Sequence, residues 1–224
     1  MEKEFWIKRW ENKEIGFHQL EINPFLKKYG NSFFKDSKTV FVPLSGKTKD
    51  MLWFLKRKHY VLGIEISKIA CTEFFSENQI EYTEEKHKDF VFYISKNNSI
   101  FLIQGDFFSL TKEVFHSFSL EIDAIYDRAS LIALPKDLRI LYVQQMRNLF
   151  PKIPIYFLIN MEYTLKPEIQ TLYKEQEYGP PFSVSEKEIF ELFWQYPNIQ
   201  IIEKIPFKKA NTIYAEEKLY FLKK

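Results

Sequence analysis

The segment Val40–Met51 reads VFVPLSGKTKDM, and its centre, Ser45-Gly46-Lys47-Thr48, has the residue types that close a phosphate-binding loop. That loop needs G-x-x-x-x-G-K-[ST], because two glycines let successive backbone N–H groups wrap the phosphates. Five residues before Gly46 stands Phe41, and position 43 is a proline with no N–H to donate. Half of the motif is absent. A nucleoside-triphosphate enzyme would also need a second carboxylate on magnesium, for which no arrangement is evident. What remains is an apolar strand, a tight turn at Gly46 and the start of a helix, whose first N–H groups would favour an anion.

Further polar groups fall at the ends of apolar runs. Tyr60–Ile66 (YVLGIEI) carries Glu65 about twenty residues after the first strand, the spacing at which a dinucleotide-type fold hydrogen-bonds ribose hydroxyls. Ile100–Gln104 is followed by Gly105-Asp106-Phe107-Phe108, where a carboxylate would accept from a base amino group and a ring would pack on the base. Ile122–Asp127 ends in Asp127-Arg128, where a carboxylate would meet a cation and an arginine an anion. Each has a plainer reading, since an acidic residue just past a strand is often a helix N-cap or a solvated loop residue. Together the four ends suit a ligand with an adenosine, a carboxylate and a positive centre, as S-adenosyl-L-methionine has.

The elements that must carry these groups alternate. Thr39–Leu44 and Tyr60–Ile66 read as strands, with a helix over Lys47–Lys58 between them and another from the N-cap Ser67 through Gln79. Phe90–Ser95 and Ile100–Gln104 flank the turn-prone Lys96-Asn97-Asn98-Ser99 and suggest a hairpin. Lys136–Leu149 has helical spacing, Ile153–Met161 is a β-branched and aromatic strand, and Ser185-Glu186-Lys187-Glu188 reads as a capping box for a helix through Trp194. Ile199–Ile205 and Ile213–Leu222 look like a closing antiparallel pair. The fold class expected is α/β: a Rossmann-like, seven-stranded, mostly parallel sheet with helices on both faces and an antiparallel C-terminal strand. A single domain over 1–224 is expected, with an N-terminal helical lid over 1–35 and a catalytic core over 36–224.

Composition narrows the partners. The 224 residues are 46% hydrophobic and 18% aromatic, enough for a sizeable core. The 32 basic and 30 acidic residues are interspersed, without the basic stripe of a nucleic-acid binder. Cys71 is the one cysteine, which suits a reducing compartment, and the four histidines (18, 59, 87, 116) lack ligand spacing, so no metal site is expected. No apolar run resembles a leader or a membrane span. The expectation is a cytoplasmic monomer that acts on a small molecule, without nucleic acid or membrane.

Six blocks in order resemble the thiopurine S-methyltransferase family of S-adenosylmethionine-dependent enzymes. FWIKRWENKEIGFHQ (Phe5–Gln19) is similar to the family's W-x-x-x-W…F-H entry segment, and PLSGKTKDM to its P-L-C-G-K-x-x-D-M loop, with Ser45 in place of the cysteine. VLGIEIS (Val61–Ser67), GDFF (Gly105–Phe108), IYDRASLIALP (Ile125–Pro135) and GPPFSV (Gly179–Val184) match further blocks. The resemblance implies that Trp6, Trp10 and Phe17 cover the bound cofactor and that Leu44 and Gly46 form its loop. Glu65, with Ile66 beside it, would hold the ribose. Asp106 and Phe107 would flank the adenine, and Arg128 would sit near the methionine end. Phe17 would also touch the acceptor, with Pro181, Phe182 and Lys208 bordering its pocket. Read from spacing alone, Trp6, Trp10 and Phe17 would instead be one buried helical face. Where some relatives place an arginine near the acceptor, Lys208 and Lys209 stand here, and a lysine is not an equivalent fork.

The reaction implied is methyl transfer from the sulfonium of S-adenosyl-L-methionine, leaving S-adenosyl-L-homocysteine, to sulfur of a small thiol or thiopurine-like acceptor. An acidic thiol needs no strong base. Asp127 and His18 are the candidates to assist. The alternatives are another small acceptor (selenium or tellurium species, halide or thiocyanate) and a non-catalytic module that binds the same cofactor.

Overall fold

The fold was analysed in a computed structural model that describes residues 3–116, 121–153, 155–166, 179–206 and 213–223. The chain divides into two compact units, Met1–Tyr126 and Asp127–Lys224.

The first unit opens with α1 (Lys3–Glu11) and α2 (Pro24–Phe33). Pro24 suits the first turn of α2, and the Asn23 side chain caps it by accepting from the Phe25 amide. Strand β1 (Thr39–Val42) leads through the Ser45–Thr48 loop to α3 (Asp50–Leu55), then to β2 (Tyr60–Glu65) and α4 (Lys68–Glu77). Strands β3 (Tyr82–His87), β4 (Phe90–Ser95) and β5 (Ile100–Gln104) follow, and then α5 (Lys112–His116) and β6 (Ala124–Arg128), which crosses the boundary between the units. The strand order is β3-β4-β5-β2-β1-β6. β1 pairs in parallel with β2 and β6, and β2 with β5, whereas β3, β4 and β5 meander antiparallel. All four residues of β1 are buried, as are Val61–Glu65 of β2. Apolar runs of this kind belong to parallel strands covered on both faces.

The second unit holds α6 (Ser130–Ala133), α7 (Lys136–Leu149), β7 (Ile155–Leu165), α8 (Glu186–Leu192), β8 (Asn198–Pro206) and β9 (Ile213–Lys223). On α7 the buried set Arg139, Tyr142, Val143, Met146 and Leu149 recurs at three- and four-residue intervals, the core-facing stripe that its sequence predicts. β9 pairs antiparallel with β7 over its whole length and with β8 on its other edge, with an irregularity between Ile201 and Glu203.

The α/β architecture matches expectation, with differences of detail. The described residues contain nine strands rather than seven. Eight fall on the apolar runs singled out in the sequence, and the ninth is β3, an edge strand whose residues 83–87 are all exposed. Its sequence YTEEKH alternates no apolar residues, because charges are what an unpaired edge tolerates. The helix expected over Lys47–Lys58 begins only at Asp50, for reasons that lie in the loop before it. The capping box is half formed: Ser185 Oγ accepts from the Glu188 amide, but the Glu188 carboxylate turns to Arg139. No helix among the described residues is long and apolar enough to cross a membrane.

Candidate active site

The parallel strands of the first unit end side by side. Glu65 is the register partner of Gln104, the Gly105 amide donates to the Glu65 carbonyl at 2.9 Å, and the Ser45 amide donates to the Ile64 carbonyl at 2.9 Å. Leu44, Gly46, Glu65, Ile66, Asp106 and Phe107 therefore lie along one edge of the sheet, where open α/β folds bind ligands.

Glu65 organises this edge. It is 5% exposed, and its carboxylate accepts from the Gly46 amide through Oε2 and from the Ser67 amide through Oε1, both at 2.8 Å. Burial pushes its carboxyl above the ordinary range, against the Ser67, Gly46 and Ile66 amides, which favour the ionised form. One carboxylate thus ties the loop after β1 to the loop after β2. An ionised carboxylate has about four lone-pair sites, so with three amides bound about one remains for a ribose hydroxyl. Leu44 (φ +42°) and Gly46 (φ +52°) both adopt the left-handed region, natural for glycine and unfavourable for leucine. The loop is held in that shape from outside: besides Glu65, Asp50 is fully buried and accepts from the Asn23 amide and the Tyr126 hydroxyl, each at 2.8 Å.

This arrangement removes the anion site expected at the helix start. The Gly46 amide is spent on Glu65, and α3 starts three residues beyond Lys47. Lys47 donates to Glu73 and Glu77 at 2.7 Å each.

Asp106 shows its plainer role. Its Oδ1 accepts from the Phe108 amide at 2.9 Å, capping the short 3-10 turn Phe107–Ser109. Its Oδ2 lies 3.8 Å from Lys3 Nζ, and Phe107 is buried beside it. The entry segment does not form the single helical face that the spacing allowed. α1 ends at Glu11, and the chain returns to set Phe17 edge-on against Trp6 (5.4 Å between ring centroids) and Trp10 (5.5 Å). Trp10 is 4% exposed, and a Cβ on Gly46 would stand 3.4 Å from its ring. Phe17 remains 38% exposed, and Trp6 and His18 are partly buried. α1 therefore runs from Asp106, through Lys3, to Gly46, through Trp10, across the ends of β5, β2 and β1.

In the second unit Asp127 is fully buried, and its Oδ2 accepts from the hydroxyls of Tyr142 (2.7 Å) and Tyr156 (2.5 Å). Burial raises its carboxyl pKa despite these bonds and those of Ser130. Arg128 is partly buried at the end of β6, before Ala129, which is left-handed at φ +66°. Phe182 donates its amide to the Ile132 carbonyl at 2.7 Å, and the Tyr163 hydroxyl donates to the Pro181 carbonyl at 3.0 Å. Arg139, 4% exposed, lies 5.8 Å from the Phe182 ring centroid and holds both Glu188 oxygens through one nitrogen, at 2.8 and 2.9 Å. Lys208 lies outside the described residues. No cluster of three potential metal ligands occurs among the described residues.

Sequence reasoning had no role for Asp50, Glu73, Glu77, Tyr142, Tyr156 or Arg139. Glu73 and Glu77 carried a usable signal, a pair of acids one helical turn apart facing the GKT lysine's loop. The tyrosines carried none, because two of 13 tyrosines cannot be chosen without the fold.

Comparison with known proteins agrees over the full length. The family described as Thiopurine S-methyltransferase (TPMT) matches residues 1–224. The thiopurine S-methyltransferase of Nitrosospira multiformis is 36% identical over 217 residues, covering 96% of this chain and 92% of the relative. That of Shewanella putrefaciens is 34% identical, with all of both chains aligned. A SAM-dependent methyltransferase from Anabaena variabilis superposes with a TM-score of 0.59 at 15% identity, covering 99% of this chain and 95% of its own. The magnesium protoporphyrin IX methyltransferase of Synechocystis, solved with bound SAH, gives 0.60 at 11% identity, covering 97% and 99%. The solved structures attest the fold, and the matches in sequence place the chain in the thiopurine S-methyltransferase family.

Proposed function

We propose that this chain, an S-adenosylmethionine-dependent methyltransferase by family and fold, methylates sulfur of a small thiol or thiopurine-like acceptor. The observation that carries the site assignment is the course of α1 across three adjacent strand ends, from Lys3 beside Asp106 to Trp10 beside Gly46. A cover at that place closes over whatever the strand ends hold.

The residues fit the cofactor. Glu65 keeps one acceptor site for a ribose hydroxyl, Leu44, Gly46 and Ile66 shape the wall around it, and Asp106 and Phe107 take the adenine side. Displacement of Lys3 from Asp106 Oδ2 leaves an acceptor for an amino group. Trp6 and Phe17 present partly exposed π faces, which attract a cation. Arg128 supplies a positive charge for a carboxylate. When bound, the cofactor supplies an electrophilic methyl group on a sulfonium, open to in-line attack by sulfur.

The chain's own work is then binding, orientation and exclusion of water. Phe17, Pro181, Phe182 and Lys208 are assigned to the acceptor, with Phe182 braced by the Ile132 carbonyl and Arg139. An acidic thiol arrives as thiolate and leaves no proton to remove. Where a proton must go, His18 is the candidate with access. Asp127, buried beneath two tyrosine hydroxyls, holds the packing of α7 against β7. The balanced charge and single cysteine support a cytoplasmic monomer without nucleic-acid or membrane partners.

The test is calorimetric titration with S-adenosyl-L-methionine and, in parallel, ATP–magnesium, followed by a methyl-transfer screen. Saturable binding of the first alone and turnover of a thiol support the proposal. Binding of ATP alone overturns it. Turnover only of selenium, tellurium, halide or thiocyanate acceptors changes the acceptor class, and binding without any turnover leaves a non-catalytic module.

A further inference from the structure

Lys47 has the wrong surroundings for a surface lysine. Its side chain is 6% exposed, and Nζ donates to Glu73 Oε2 and Glu77 Oε1, 2.7 Å each. The two acids stand one turn apart on α4 and are 36% and 49% exposed, so the charge cluster is open to water at its carboxylate end and closed at its lysine end. On the closed side Nζ lies 5.9 Å from the centroid of the Trp10 ring, within cation–π range. Trp10 is itself buried against Gly46 and Phe17. A single ammonium thus touches three elements: the loop that carries it, α4 and the entry helix α1.

The chemistry of the group decides what it can do there. An ammonium has three protons, and two are taken by carboxylates. Burial lowers its pKa, but the hydrogen bonds and charges of Glu73 and Glu77 more than reverse that, so it stays ionised throughout the working pH range. A permanently charged, doubly anchored cation is a fixed point. The Trp10 face rests on it, and Trp10 in turn sets where Phe17 and Trp6 stand.

We propose that Lys47 is a positioning residue that clips the entry helix over the cofactor loop, so that cofactor affinity depends on the Lys47–Glu73–Glu77–Trp10 cluster although none of its charges need touch the ligand. The inference rests on the reading of α1 as the cover of the cofactor site. It also explains why a GKT sequence survives without a phosphate to bind: the lysine serves the cover.

The experiment uses the full chain and its variants Lys47→Met, Lys47→Arg and Glu77→Gln. Dissociation constants for S-adenosyl-L-methionine, steady-state constants and melting temperature are measured together. Acrylamide quenching of tryptophan emission is compared with a Trp10→Phe background. Lys47→Met is expected to raise Kd and KM for the cofactor about tenfold, with a smaller change in kcat, and to expose Trp10 to quencher. Lys47→Arg, which keeps charge and can stack on the ring, restores most of the affinity. Glu77→Gln, which leaves Glu73 in place, gives about a threefold loss and carries the test if Lys47→Met does not fold. Wild-type affinity in Lys47→Met overturns the inference, as does wild-type affinity in Glu77→Gln where Lys47→Met cannot be studied. A loss that Lys47→Arg shares in full overturns it too, since charge would then not be the cause. Failure of the unaltered chain to bind S-adenosyl-L-methionine would instead overturn the underlying reading of the site.

Discussion

Glu65 at the end of β2 and Asp127 near the end of β6 are both buried carboxylates whose pKa burial raises, yet they keep different company. Glu65 accepts from main-chain amides of the two loops it joins. Asp127 accepts from two phenols projecting from α7 and β7. A carboxylate bonded to loop amides fixes where the backbone runs at the sheet edge. One bonded to core tyrosines fixes how side chains pack and is sealed by them. Two carboxylates at strand ends thus differ in what they hold, one the backbone of two loops and the other two side chains.

The comparison is broken most directly by truncating each acid. Asp127→Ala removes the carboxylate to which two buried hydroxyls donate and is expected to cost about 3 kcal/mol of stability in denaturant unfolding, with cofactor affinity changed little in the molecules that remain folded. Glu65→Ala is expected to do the reverse: about 2 kcal/mol of stability from the two orphaned amides, but roughly a hundredfold loss of cofactor affinity by calorimetry. Equal effects of the two substitutions on affinity would erase the distinction.

Trp10→Ala sharpens the Glu65 side of it. Its indole packs on the loop that Glu65 anchors, at the edge of the unit, so kcat/KM is expected to fall about tenfold while the global transition moves only slightly. A large loss of stability instead would make Trp10 an ordinary core residue.

The smallest effect concerns pH. A buried carboxyl whose folded pKa lies above its unfolded value favours the protonated form on folding. Its contribution is therefore most favourable below the unfolded pKa and declines as pH rises to the folded pKa. Relative to Asp127→Asn, which cannot ionise, the wild type is expected to lose stability as pH rises through that window. Cofactor affinity has the opposite slope: a ribose hydroxyl donates to ionised Glu65, so affinity falls as pH drops through its raised pKa. A pH-independent affinity in the acid range would remove Glu65 from the ribose.

Much of this was legible beforehand. The periodicity of Lys136–Leu149 marked α7 to its bounds, Ser67 capped α4 as its type required, and the β4–β5 hairpin followed from its turn. These are local signals, set by side-chain period and by caps that act within a turn. The six sequence blocks also named the family, and three of their residues, Glu65, Gly46 and Trp10, stand together in the structure. The start of α3 was misread because the competitors for the Gly46 amide and the Lys47 side chain, Glu65, Glu73 and Glu77, lie 19 to 30 residues away.

The sequence by itself determined the alternation of strands and helices, the family, and which acids fall at strand ends, because all three depend on residue types at short spacing. Only the tertiary structure decided that Phe17 folds back on Trp6 and Trp10, that Lys47 serves α4 and α1 rather than a phosphate, and that Asp127 is closed off by Tyr142 and Tyr156. A buried charge takes whichever partner the packing brings within about 3 Å, and no local pattern in the chain encodes which of many candidates that will be.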